Sequence, residues 1–200
     1  GTELKQGATV GIDAQVYAAK DAIALEKELS KKGLKLSIDK DPFAHIWENR
    51  PDIPTNPIFI LPEEYTGESA KSKINRINEV LEKESANSLL IGTLDTIAWL
   101  YNLRGNDVKC NPVAVCFAYV SKKESILFIN PKKVTPEATA YLKSQNVILA
   151  EYDKVFEYVA KLKETVCVDS SKITLKLLNT IDKANSVIDI PSPADLMKAC

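Results

Sequence analysis

Residues Arg50-Pro-Asp-Ile-Pro-Thr-Asn-Pro57 constrain this chain more than any other stretch. Proline fixes φ and lacks a backbone donor, so neither a helix nor a central strand can run through three prolines in seven residues. A segment of this kind is stiff and extended, and holds what lies on either side at a set distance. We therefore expect a domain boundary here. Residues 1–50 lie on one side, 51–57 form a Pro-rich linker, 58–190 form a second α/β body, and 191–200 form a connector beyond it.

On both sides of the break, strand and helix patterns alternate. Before it, 9–12 reads as a short strand and 14–32 as a helix, with Ala18, Ala22, Leu25 and Leu29 on one face. Asp13 is placed to cap the start of that helix and Gly33 to end it. A half-buried strand follows at 34–38, and Pro42 opens a short helix through Trp47. After the break, 58–61 reads as a buried strand and 68–85 as a helix with Ile74, Ile77 and Leu81 inward. Strand 88–92 and a short helix from Asp95 to Tyr101 come next, then a polar loop at 102–112. Residues 113–120 and 125–129 read as a hairpin. Thr135-Pro136-Glu137 is a strong helix start, with Pro at the first helical position. Strand 147–150, helix 153–164, strand 166–168, helix 171–181 and strand 186–190 complete the pattern, and Pro191 and Pro193 are expected to end regular structure. Alternation of this kind implies an α/β fold: a mixed, largely parallel sheet with helices on both faces.

Composition narrows the function more by exclusion. The net charge is −1 and the lysines are scattered, so no electrostatic footprint for nucleic acid exists. No apolar run approaches the ~18 residues of a membrane span, and the polar N-terminal stretch does not read as a signal peptide. The four cysteines at 110, 116, 167 and 200 make no Cys-x-x-Cys pair, and read as a reduced, cytosolic set. Gly1 in place of Met suggests a cut piece or a processed terminus.

Few residues offer chemistry. His45, the single imidazole, has no partner at metal-ligand spacing and reads as a surface or packing residue. Glu63, Glu64 and Glu68 cluster ahead of a helix, where the dipole favours negative charge. No Gly-x-x-x-x-Gly-Lys or Gly-x-Gly-x-x-Gly loop occurs to cradle phosphate. The best candidate is the 102–112 loop, since loops at strand ends are where sheets of this class place function. It carries Arg104, whose planar fork suits a carboxylate or carbonyl, with Asp107 and three asparagines. The alternative is that Asn102, Asn106 and Asn111 are turn formers and Arg104 a solvated tip.

The stretch Thr93-Leu-Asp-Thr-Ile-Ala-Trp-Leu-Tyr-Asn-Leu-Arg-Gly-Asn-Asp107, continued by Asn111-Pro112, resembles the middle domain of the three-domain, cytosolic Xaa-Pro aminopeptidases (aminopeptidase P). Val10-Gly-Ile-Asp13, Ile46-Trp47 with Arg50-Pro51, Tyr65-Thr-Gly-Glu-Ser69 and Phe128-Ile129 are similar to that family in the same order. The resemblance implies a creatinase N-terminal-like fold, with residues 1–50 ending a preceding domain. It implies a non-catalytic module in a cytoplasmic hydrolase that removes an N-terminal residue preceding proline. The two metal ions of such an enzyme, manganese or zinc, belong to a separate C-terminal catalytic domain, which would begin near Cys200; no cofactor is expected in this chain. The implied partners are that catalytic domain and short proline-containing peptides. Arg104, with Tyr101, Leu103, Asn106 and Asp107, is implied to form a substrate-access loop. A stand-alone protein-interaction module of the same fold is the alternative. A homodimer through an open strand edge in residues 1–50 is a further expectation.

Overall fold

The computed structural model describes residues 4–39, 41–44, 46–183 and 185–198. His45 and Cys200 lie outside the described residues. The chain forms two compact units, and their division is discontinuous in sequence. One is Gly1–Asp52 with Ser170–Asn179; the other is Ile53–Asp169 with Thr180–Cys200.

In the first unit, β1 (Thr9–Gly11) and β2 (Lys35–Ser37) pair in parallel and are joined by α1 (Ala19–Lys31). The helix begins later than its apolar spacing predicts, for two local reasons. Asp13 does not cap it; its Oδ1 takes the N–H of Gln15 in a turn at 2.8 Å. The first free helix donors instead find carbonyls on the returning segment: Ala19 N–H bonds Ile173 O and Lys20 N–H bonds Ser170 O, both at 2.9 Å. Leu175 and Lys176 donate back to Tyr17 and Ala14. These bonds group 170–179 with this unit, although the sequence pattern assigned them to the later body. Of the expected helix at 42–47, the described residues show no helix, only turn bonds from Ile46 and Trp47 N–H to Phe43 O.

In the second unit the elements are β3 (Phe59–Ile60), α2 (Glu63–Thr66), α3 (Ala70–Lys83), β4 (Ser88–Ile91), α4 (Leu94–Leu100) and β5 (Leu103–Arg104). Then come β6 (Cys116–Ser121), β7 (Ser125–Ile129), a 3-10 turn (Pro131–Lys133), α5 (Pro136–Ser144), β8 (Val147–Ala150), α6 (Lys154–Val159) and β9 (Thr165–Val168). Helix α7 (Leu175–Asp182) leads in from the other unit, followed by β10 (Ser186–Asp189) and α8 (Pro193–Lys198). Six strands make one mixed sheet in the order β10-β9-β4-β6-β7-β8. The β4–β6 and β6–β7 pairs are antiparallel and the others parallel.

Strand alternation sorts the two faces. Cys116, Ala118 and Val120 of β6, with Leu127 and Ile129 of β7, enter a core shared with Ile74, Ile77 and Leu81 of α3 and Leu142 of α5. Phe117, Tyr119 and Phe128 point the other way, onto Tyr152, Phe156 and Tyr158; Phe117 stacks on Tyr152 at 5.1 Å.

Two sequence expectations are corrected here. Residues 102–112 are not all loop, because β5 pairs antiparallel with β3. Pro193 does not end regular structure but starts α8, the position where a missing N–H is harmless, and Ala194 is fully buried in the core.

Candidate functional site

The candidate loop leaves the central strand. All four residues of β4 are buried, and the chain turns at Gly92-Thr93 into α4. Tyr101 ends that helix and Asn102 reverses direction with φ 55, a left-handed conformation that asparagine tolerates. The Asn102 side chain is fixed from every side. Its Oδ1 accepts from Lys73 Nζ at 2.6 Å, and its Nδ2 donates to Glu68 O at 2.9 Å and to Tyr141 Oη at 3.1 Å. Asn102 is 1% exposed and is a structural hub beyond its turn-forming role.

Lys73 completes this knot. It is equally buried, donates to Trp99 O at 2.7 Å, and sits 4.8 Å from the centre of the Trp99 ring. Burial removes hydration from the ammonium and brings its pKa down to about 8, an effect the Glu68 charge opposes and the Arg104 charge reinforces. The ammonium therefore keeps an ionisation near neutral pH, inside a cage of carbonyl and ring electrons.

The five residues expected at the substrate side separate into two groups. Tyr101 is fully buried, its hydroxyl 2.8 Å from Ser125 Oγ, and burial pushes its pKa up. Leu103 is also fully buried, in the core. The Asp107 side chain is enclosed as completely: Oδ2 accepts from Val115 N–H at 2.6 Å and pairs with Lys133 Nζ, itself fully buried. Lys133 also reaches Pro54 O, so the pair ties the proline-rich segment to the loop. Packing and internal pairing thus occupy these three side chains. Arg104 and Asn106 reach solvent. Arg104 is half-buried, with Nη1 donating to Ala98 O at 3.0 Å and Leu103 O at 2.8 Å, a brace across the end of α4. The Asn106 carbonyl accepts from Asn56 Nδ2, and the residue is exposed. Gly105 permits the close approach of this strand to the next, since a Cβ there would meet Ala114 Cβ and Val113 O at 2.8 Å.

The acidic cluster serves its helix. Glu68 takes Arg76 at 2.7 Å and Ser72 Oγ at 2.7 Å, and Ser69 Oγ caps the Ser72 N–H. No group of three His, Cys, Asp or Glu side chains suited to a metal occurs among the described residues, so this part of the chain does not fit a metal pair. No helix among them is long and apolar enough to cross a membrane.

Sequence reasoning missed the two buried lysines. For Lys73 a signal existed. Ala70, Ile74, Ile77 and Leu81 line the buried face of α3, and position 73 falls within that stripe. Lys133 follows Pro131-Lys132 in a short turn, and nothing local marks it.

Comparison with known proteins decides the family. The creatinase/prolidase N-terminal domain model matches residues 49–200. The chain belongs to this family. The chain is 35% identical over 186 residues to a probable Xaa-Pro aminopeptidase P of Coprinopsis cinerea, covering 92% of this chain and 30% of that protein. The corresponding Laccaria bicolor protein is 36% identical, with 95% and 30% covered. The chain thus spans about 30% of the length of these relatives. Its fold matches that of X-prolyl aminopeptidase from Caenorhabditis elegans, described as a cytosolic enzyme with a di-nuclear active site, with a TM-score of 0.88 at 24% identity over 99% of this chain and 34% of that one.

Proposed function

We propose that this chain is the non-catalytic middle module of a cytoplasmic Xaa-Pro aminopeptidase, and that it shapes the approach of short proline-containing peptides to the active site. The observation that carries this reading is the similarity to aminopeptidases P over nearly the whole chain, within about a third of their length. In such an enzyme, water activation by a metal pair, manganese or zinc, would fall to a separate catalytic domain. The residues this chain would contribute are Arg104 and Asn106, the two of the five expected side chains that reach solvent. Arg104 is braced through Nη1, which leaves the rest of its guanidinium free to meet a peptide carbonyl or carboxylate. Tyr101, Leu103 and Asp107 would hold that loop in place from beneath.

The test has two arms. The purified chain, given Arg-Pro-Pro and manganese or zinc, is expected to show no turnover. In the intact enzyme, Arg104→Ala is expected to lower kcat/KM by about 10- to 150-fold, the loss of one charge-assisted contact. Metal-dependent hydrolysis that copurifies with this chain overturns the non-catalytic reading. Unchanged kinetics in the Arg104 variant overturn the access role.

A further inference from the structure

A cavity of about 330 Å³ opens at the end of β4 away from the Arg104 loop, where α3 stops and the strands β4 and β9 begin. Leu81 and Ala86, 2% and 8% exposed, give it an apolar floor. Asn78, Asn87, Glu164 and the turn at Ser121-Lys-Lys123 give it polar walls. The access loop and the Lys73 knot contribute nothing to it.

The walls carry one charge of each sign that the protein does not pair. Lys122 at the rim is matched by Glu82, whereas Glu164 and Lys123 form no ion pair among the described residues. The Glu164 carboxylate is fixed from one side only. Its Oε1 accepts from Ser88 Oγ at 2.5 Å and Tyr119 Oη at 2.7 Å, and its Oε2 takes neither bond. The sheet register sets the separation of the two charges. Ser88 of β4 faces Ser121 of β6 on one side and Val166 of β9 on the other. Glu164 and Lys123 therefore stand at the ends of the two strands that flank β4, roughly 10 Å apart at the backbone.

The neutral groups divide in the same way. Asn78 Nδ2 donates to Ser121 O at 3.2 Å, which fixes the orientation of the amide. Its Oδ1 is enclosed and has no donor. An enclosed acceptor without a donor is costly, and a ligand N–H arriving beside it removes that cost. The last turn of α3 adds its carbonyl end here, which favours positive charge. Asn87 Oδ1 accepts from Thr165 N–H at 2.9 Å, which leaves Nδ2 to donate.

We propose that this cavity binds a small aliphatic zwitterion, a free amino acid or a dipeptide. Glu164 and Asn78 hold its ammonium, Lys123 and Asn87 hold its carboxylate, and its side chain lies on Leu81 and Ala86. A simple anion or cation would leave one of the two wall charges unanswered. The site shares no residue with the Arg104 loop, and it stands or falls apart from the proposed function.

Nuclear magnetic resonance of the isotope-labelled whole chain, titrated with L-leucine and with alanyl-leucine, tests the site. Saturable shifts are expected at Ala86, Asn87, Ser121 and Lys123, and the tighter of the two probes names the source. The amide of that probe lacks the carboxylate and its N-acetyl derivative lacks the ammonium. Each is expected to bind at least about tenfold more weakly. Lys123 is exposed, so Lys123→Ala is expected to melt with the wild type. It is expected to weaken the zwitterion about tenfold and to leave the amide unaffected. Glu164→Gln keeps an acceptor for Ser88 and Tyr119 and is expected to weaken the zwitterion by a similar factor. An absence of saturable shifts at the cavity, at concentrations on the order of tens of millimolar, overturns the proposal. So does equal binding of the amide or the N-acetyl derivative, or an affinity that survives Lys123→Ala.

Discussion

The two units bury their surfaces very differently. The second closes a six-stranded sheet over one continuous core, with Leu89, Leu100, Leu127 and Leu142 at 0–1% exposure. The first has two three-residue strands and one longer helix. Of fourteen large apolar side chains exposed among the described residues, eight lie in residues 4–52: Leu4, Val16, Tyr17, Ile23, Ile38, Phe43, Ile46 and Trp47. A two-stranded sheet is marginal on its own, so the first unit depends on hydrogen bonds from a segment more than a hundred residues away in sequence. The contrast extends to charge. The second unit buries two lysines, Lys73 and Lys133, while the described lysines of residues 4–52 are all at least partly exposed. Only a well-packed core offsets the desolvation of an ammonium group.

The largest expected effect compares one ion pair from each unit. Lys133 and Asp107 are fully enclosed, and Asp107 Oδ1 already lacks a hydrogen-bond partner. Lys133→Met leaves a buried carboxylate without its cation and is expected to lower stability by about 3–5 kcal/mol. Arg50, which pairs with Asp41 and lies 5.3 Å from the Trp47 ring, is 43% exposed, and Arg50→Ala is expected to change stability far less. Chemical denaturation of both variants checks this. Comparable losses would mean that the first unit is as tightly built as the second.

The sequence disclosed the sheet better than the site, for physical reasons. Strands β4, β6, β7, β8 and β9 are short apolar runs between turn residues, and helix α5 announces itself with Thr135-Pro136, where Thr135 Oγ1 caps Ala138 N–H at 3.1 Å. These features are local, and local patterns are what a single sequence records. The late start of α1 and the grouping of 170–179 with the first unit come from hydrogen bonds between distant segments, which no periodicity encodes. The candidate loop shows the same limit. Arg104, Asn106 and Asp107 look alike as polar residues between an aromatic helix and a strand. What separates the enclosed Asp107 from the exposed Asn106 is Lys133, 26 residues further on.

Lys73 sharpens the comparison from within the second unit. Unlike Lys133 it has carbonyl and ring partners instead of a carboxylate. Its pKa falls from 10.5 to about 8 in the folded chain. Between these values the unfolded chain holds a proton that the folded chain has released, so stability rises with pH across that window. The buried thiols set the upper limit, followed by the tyrosines. Burial pushes Cys116, Cys167 and Tyr119 up to about 12, so the unfolded chain loses thiol protons above about pH 9 and tyrosine protons above about pH 10 that the folded chain keeps, and stability falls. The expected result is a rise of less than about 1 kcal/mol beginning near pH 8 and overtaken near pH 9. Lys73→Met is expected to abolish the rise, so its stability relative to wild type is greatest at neutral pH and declines toward pH 10. Urea titrations at several pH values give the slope directly, and a wild-type slope retained in Lys73→Met would remove this lysine as its source.

The smallest perturbation reads the two units against each other through thiol chemistry. Cys110 is exposed at a left-handed turn, with φ 62, while Cys116 and Cys167 are buried strand residues. Burial pushes both buried thiols up to about 12, so each is protonated and shielded at pH 8. Thiolate attack on an aromatic disulfide reagent then needs opening of the sheet. Residues 4–52 contain no cysteine, so Ala22→Cys supplies the missing reporter on the buried face of α1, where the position is fully enclosed. In a Cys110→Ser, Cys200→Ser background, labelling of the Ala22→Cys site is expected to run ahead of Cys116 and Cys167. All three rates are expected to converge once urea unfolds the chain. Methyl-to-thiol replacement is small enough to leave α1 helical, which circular dichroism confirms or denies for the same sample. Protection at position 22 as long as that at Cys116 would show that the few hydrogen bonds from 170–176 hold the first unit as firmly as six paired strands hold the second.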